Sequence, residues 1–301
     1  MTNDCKSEQQ TSNNAFRFKF LGGGVLGLIN STAVTPFINY TNHAINQQSM
    51  GFDRSKQSFT LKRMFDGLGS YNVSFVLRIS VALSLDSYFL HKLGRYYTVD
   101  KQHKLLSSIL AGGIAGSVAT LSEAVAQAQQ LSKDKPSSIQ VIKTAYHANG
   151  LFRLFPGTAA MVVRSSGLTA GYISLMPMLC QHLKKKLGDN LMTDILAATI
   201  CGLFVGIITT PPNNARFEMQ KDFMVKGPAP SYRKIWKGKC TSHEGRHSLL
   251  TGLRKSFGGF HPQTLRCMLS MFILMKGNEK LGHLYDSDGF SNFLNGSSPR
   301  V

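Results

Sequence analysis

The segment Gly150-Leu151-Phe152-Arg153-Leu154-Phe155-Pro156-Gly157 recurs without a gap as Gly252-Leu253-Arg254-Lys255-Ser256-Phe257-Gly258-Gly259. Seven residues beyond each copy stands an arginine, Arg164 and Arg266. A weaker echo, Phe65-Asp66-Gly67, leads to Arg78 with four extra residues, about one helical turn. Such repetition constrains the fold more than composition does, because each unit must be one supersecondary piece buried against its neighbours. A second element recurs upstream: Pro36-Phe37-Ile38-Asn39-Tyr40-Thr41, Leu121-Ser122-Glu123-Ala124-Val125-Ala126 and Pro211-Pro212-Asn213-Asn214-Ala215-Arg216. The intervals are 121 − 36 = 85 and 211 − 121 = 90 residues, so three units account for most of the 301 residues.

Each unit holds two long, partly apolar stretches. The six lie at 20–45, 73–93, 105–130, 158–183, 191–220 and 260–281, each close to the about 20 residues that span a bilayer. None is uniformly apolar, as FLGGGVLGLINSTAVTP and ILAGGIAGSVATLSEAVAQ show. The mean hydropathy of the chain is only −0.07. Periodicity leaves two readings open: amphipathic helices of a soluble bundle, or membrane helices packed through small residues around a polar cavity. Gly22-Gly23-Gly24 and Ala111-Gly112-Gly113 favour the second. Each glycine costs a soluble helix about 1 kcal/mol, whereas in a membrane it permits close backbone approach.

A formal net charge of +18 calls for an anionic partner. Nucleic acid is not expected, since no recognised binding motif appears. Cys5, Cys180, Cys201, Cys240 and Cys267 form no Cys-x-x-Cys pair, so no metal site is expected. No nucleophile elbow, phosphate-binding glycine loop or paired metal-ligand set occurs, so no enzyme is expected and no cofactor is implied. The polar residues 1–15 read as a disordered tail rather than a targeting signal. Lys184-Lys185-Lys186 suits a helix C-terminus and lipid phosphates, and the basic stretch from Lys221 to His247 reads as a mobile loop.

The order of elements resembles the mitochondrial carrier family: helix, Pro-x-Asp/Glu-x-x-Lys/Arg, loop, Gly-x-x-x-x-Phe/Tyr-x-Gly, then a second helix carrying arginine. The resemblance implies an all-α membrane protein, with six transmembrane helices in three two-helix repeats around a threefold pseudo-axis. The units would be 16–100, 101–188 and 189–285, with tails at 1–15 and 286–301. It further implies alternating access of a small anionic solute to a central cavity, in a monomer contacting lipids that include anionic headgroups. The mitochondrial inner membrane is the implied location, with another organelle, or delivery of a pathogen protein to host mitochondria, left open.

Carried over by position, Arg78, Arg164 with Ser165, and Arg266 would bind the solute at one equivalent depth. Planar guanidinium groups suit phosphate and carboxylate. The first helix resembles the adenine-nucleotide branch, which makes ATP/ADP the leading solute, but Arg164-Ser165 is similar to carboxylate and keto-acid carriers. At the inner gate the implied pairs are Glu123–Arg216, Asn213–Thr41 and Ile38–Ala126. The opposite gate has at best a remnant in Asn278-Glu279-Lys280. With gates so altered, a transport-inactive homologue acting as a tether or receptor is the rival reading.

Overall fold

In a computed structural model the described residues are 2–50, 64–65, 67–94, 96–98, 100–132, 136–220, 223–224, 230–240 and 249–286; of the first and last helices, side chains are described for 16–42 and 260–284. No strand occurs among them. The helices are α1 (Thr2–Met50), α2 (Leu68–Gly94), α3 (Lys101–Leu131), α4 (Ser138–Asn149), α5 (Thr158–Ala170), α6 (Met176–Leu187), α7 (Leu191–Gln220), α8 (Tyr232–Cys240), α9 (Leu249–Ser256) and α10 (Phe260–Asp286).

The contacts close a ring. α1 packs on α2, α2 on α3, α3 on α5, α5 on α7, α7 on α10 and α10 back on α1. The first long helix of each unit, α1, α3 or α7, meets its own partner through a pair of glycines four residues apart. A Cβ on Gly23 or Gly27 would lie 2.8 or 2.7 Å from α2 backbone at Ser80 and Phe75. On Gly112 it would lie 2.6 Å from Thr169 of α5, and on Gly116 2.7 Å from Ser165. On Gly202 it would meet Met268 of α10 at 2.6 Å, and on Gly206 Thr264 at 2.8 Å. Three Gly-x-x-x-Gly seams therefore set the close crossings, as in membrane helix pairs.

The repeated turn has a conformational cause. Gly67, Gly157 and Gly259, the last glycine of the element in each unit, have φ of 74°, 75° and 70°. Side chains other than glycine rarely adopt that left-handed region. Each glycine immediately precedes the helix that carries its unit's arginine.

Among the described residues, four helices are long and apolar enough to cross a membrane, at 16–42, 68–94, 101–131 and 191–220. Six were expected. The stretch 158–187 is divided into α5, a π-helical turn at Gly171–Leu175 and α6. Pro177 supplies no N–H to the carbonyl one turn back, and the Met176 N–H reaches Gly171 O instead. The other, α10, is diluted by Gln263, Arg266, Lys276 and Glu279.

Two further expectations change. The 2–15 segment, read as a disordered tail, is helical backbone in α1. Part of the expected 221–247 loop is α8, which packs on α9, and its Tyr232 hydroxyl accepts the Ala160 N–H at 2.7 Å. Residues 221–222, 225–229 and 241–247 of that loop, Asp66 of the weak echo and the 287–301 tail lie outside the described residues.

Candidate arginine chamber

Three of the arginines singled out in the sequence, Arg78, Arg164 and Arg216, meet at one carboxylate. Glu123, 1% exposed on α3, accepts from Arg78 Nη1 at 3.0 Å and from Arg164 Nη1 at 2.8 Å. Its Oε2 also accepts from Arg216 Nη1. The seam at Gly112 and Gly116 brings α5 against α3 and so carries Arg164 to Glu123. Gly157 lies against the next odd helix, where a Cβ would sit 3.4 Å from the Arg216 backbone.

Solute arginines and inner gate were expected as separate layers, with Glu123 answering Arg216. Arg78 and Arg164 instead join that pair in one cluster, and Arg266 stands apart from it. The extra turn in the first unit contributes, because Arg78 stands one helical turn farther from its glycine than Arg164 does. Arg216 is further held by the side-chain oxygens of Asn213 and Gln220, both at 3.2 Å.

The other gate pairs differ. Asn213 Oδ1 is engaged by Arg216, and Thr41 donates to Phe37 O at 2.7 Å; among the hydrogen bonds of the described residues none joins the two. Ile38 and Ala126, 2% and 0% exposed, belong to the same buried apolar cluster. Beside them an amide network had no sequence signal beyond its polar residues. Asn42 donates to Gln130 at 2.8 Å, Gln130 to Asn39, and the Tyr71 hydroxyl to Gln130 at 3.2 Å. It ties α1 and α2 to α3.

Arg266 is 3% exposed and, among the described residues, has no carboxylate within 4.0 Å. With Arg78, Asn30, Thr169, Tyr172 and Ser270 it walls a chamber of about 10 Å³, room for roughly one water. Arg78 also lies 4.2 Å over the Phe75 ring. Ser165 is fully buried, and its hydroxyl has no hydrogen-bond partner among the described residues. Three buried guanidiniums thus share Glu123 and Arg266 makes a fourth beside them, so the four arginines exceed that one carboxylate by three positive charges. Guanidinium groups in excess of carboxylate have the chemistry to hold an anion, through charged, bidentate hydrogen bonds.

Beyond the chamber a vestibule of about 300 Å³ lies between α6 and α10, lined by Cys180, Gln181, Lys184, Asn278 and Glu279. Tyr172, on the π turn, borders both spaces. The larger cavity of about 740 Å³ is a groove among α2, α3 and α4 that contains none of the arginines.

The sequence reading missed the acid beside the vestibule. Asp194, at the start of α7, pairs with Lys276 of α10 at 2.5 Å and Lys184 of α6 at 3.5 Å. The expected remnant contributes Glu279, which pairs with Lys276 at 3.2 Å. Lys184 also binds Asp189 at 2.7 Å, so it is engaged by protein carboxylates as well as standing at a helix end. A carboxylate drawn from an odd helix matched no expected motif position, which is why spacing did not reveal it.

The apolar helices indicate a multi-pass membrane protein. No curated protein matches the chain. Residues 101–187, the unit from α3 to α6 that holds Glu123 and Arg164, match the family described as mitochondrial carrier protein, whose members are solute transporters.

Proposed function

We propose that this chain carries a small anionic metabolite across the mitochondrial inner membrane, by alternating access through six helices in threefold pseudo-symmetry. The observation that carries the reading is the surplus of three positive charges that the buried Arg78, Arg164, Arg216 and Arg266 hold over Glu123. Buried charge in a membrane is costly and is kept where a solute answers it. Arg266, with no carboxylate of its own, is the first contact for the anion, and Arg78 and Arg164 exchange Glu123 for it as the chamber opens. Ser165 adds a free hydroxyl. Glu123 with Arg216 and Asn213, over the apolar floor of Ile38 and Ala126, closes the inner mouth; Thr41 caps its own helix backbone beside them.

A nucleotide such as ATP or ADP is the leading solute, on the first unit's likeness to the adenine-nucleotide branch. A carboxylate is the second reading, favoured by the unpartnered Ser165 beside Arg164. The test is uptake of labelled ATP, succinate and phosphate by liposomes holding the purified chain. Saturable uptake of one is expected; uptake of none would favour a membrane tether over a carrier.

A further inference from the structure

Asp86 of α2 is 6% exposed, two helical turns beyond Arg78, and the anion chemistry above does not use it. Its Oδ1 accepts from Ser107 Oγ at 2.8 Å and from Ser108 Oγ at 3.2 Å, both on α3. The cations facing it are Lys19 on α1 and Lys104 on α3, with the Tyr172 phenol on the π turn. Neither lysine lies within 4.0 Å. A buried carboxylate that no cation touches, inside a membrane-spanning helix, is a functional candidate by default.

The partners permit both protonation states. A hydroxyl donates once and accepts as well. Ser108 can turn its proton to Lys104 O at 2.8 Å, or share it with Ser174 Oγ at 2.6 Å. Ser107 can turn to Asp86 O at 3.2 Å. Either rotation leaves a lone pair on the serine to accept from a carboxylic acid. Ser174 lies on the π turn that also carries Tyr172, the residue between chamber and vestibule.

We propose that Asp86 is a proton site that couples one proton to each anion carried, an inference that rests on the transport reading. Asp86 takes up a proton on the side where the anion enters, becoming a carboxylic acid, and returns it as a carboxylate on the side of release. Eight helical residues place it about 12 Å from the level of Arg78. At an effective dielectric of about 20, removing its charge raises affinity for the anion roughly tenfold per anion charge. By reciprocity the bound anion raises the proton affinity of Asp86 by the same factor.

The test uses the purified full chain in liposomes, with labelled ATP, succinate and phosphate as probes. An interior more alkaline by one pH unit should raise accumulation about tenfold, the equivalent of one coupled proton. Asp86→Asn should lose that response but keep exchange at equal pH, and Asp86→Glu should keep both. A full gradient response in Asp86→Asn would overturn the proposal. Should no probe enter the wild type, the transport reading fails, and infrared titration decides the site separately. A carboxylic-acid band that changes with pH and vanishes in Asp86→Asn retains the proton site; its absence removes it.

Discussion

Glu123 and Asp86 are both buried acids on adjacent helices of the ring, yet they are answered in different ways. Glu123 is held by three guanidiniums, which require it to be charged. Asp86 is held by serine hydroxyls that serve a carboxylate or a carboxylic acid equally. Burial is nearly the same for the two, so it is not what separates their roles. The partner's chemistry separates them: fixed cations make a structural anion, whereas rotatable hydroxyls leave the protonation state free.

The sharpest way to break that contrast is Glu123→Gln. Removing one partner from a buried ionic cluster costs about 3–5 kcal/mol, and here several guanidiniums lose their shared acceptor. Thermal unfolding in detergent should show a large loss; a change no greater than that of Asp86→Asn would abolish the distinction. Charge reversal sharpens it further. Exchanging the residues as Glu123→Arg with Arg216→Glu should fail to restore stability, because the moved carboxylate would no longer answer both Arg78 and Arg164. Recovery would mean an isolated pair.

Next in size is Arg266→Ala. Charged hydrogen bonds contribute about 1.5–3 kcal/mol each, so anion affinity should fall about 10- to 100-fold. Its unfolding temperature should move less than that of Arg164→Ala, which also breaks the bond to Glu123. Competition between labelled and unlabelled anion in liposomes gives the affinity; equal stability losses in the two variants would make Arg266 part of the ionic frame.

Ser108→Ala removes one hydroxyl partner of Asp86 and should cost about 0.5–1.5 kcal/mol, the usual worth of one hydrogen bond. The proton-gradient response should shift, with exchange at equal pH retained. The smallest effect belongs to Lys184→Ala. That lysine pairs chiefly with the exposed Asp189, and pairs of this kind contribute about 0–1 kcal/mol. A larger loss by thermal unfolding would promote the vestibule network to a structural rank like that of Glu123.

Repetition in the sequence determined a good deal. The recurring glycine element marked Gly157 and Gly259, and its echo marked Gly67, where the backbone takes a positive φ ahead of the arginine-bearing helices. It also singled out Arg78, Arg164 and Arg266, because such periodicity is a local, chain-order property that a single sequence records. The grouping of Arg78 and Arg164 around Glu123, with Arg266 left apart, was decided by tertiary structure. Which guanidinium reaches which oxygen depends on the depth at which helices from different units cross, and on the extra turn before Arg78; neither is periodic. The same holds for Asp86 and Asp194. Their partners come from other helices, Ser107 and Ser108 in one case and Lys276 and Lys184 in the other. No spacing along one helix encodes such a meeting; packing through the Gly-x-x-x-Gly seams and closure of the ring bring those side chains within reach.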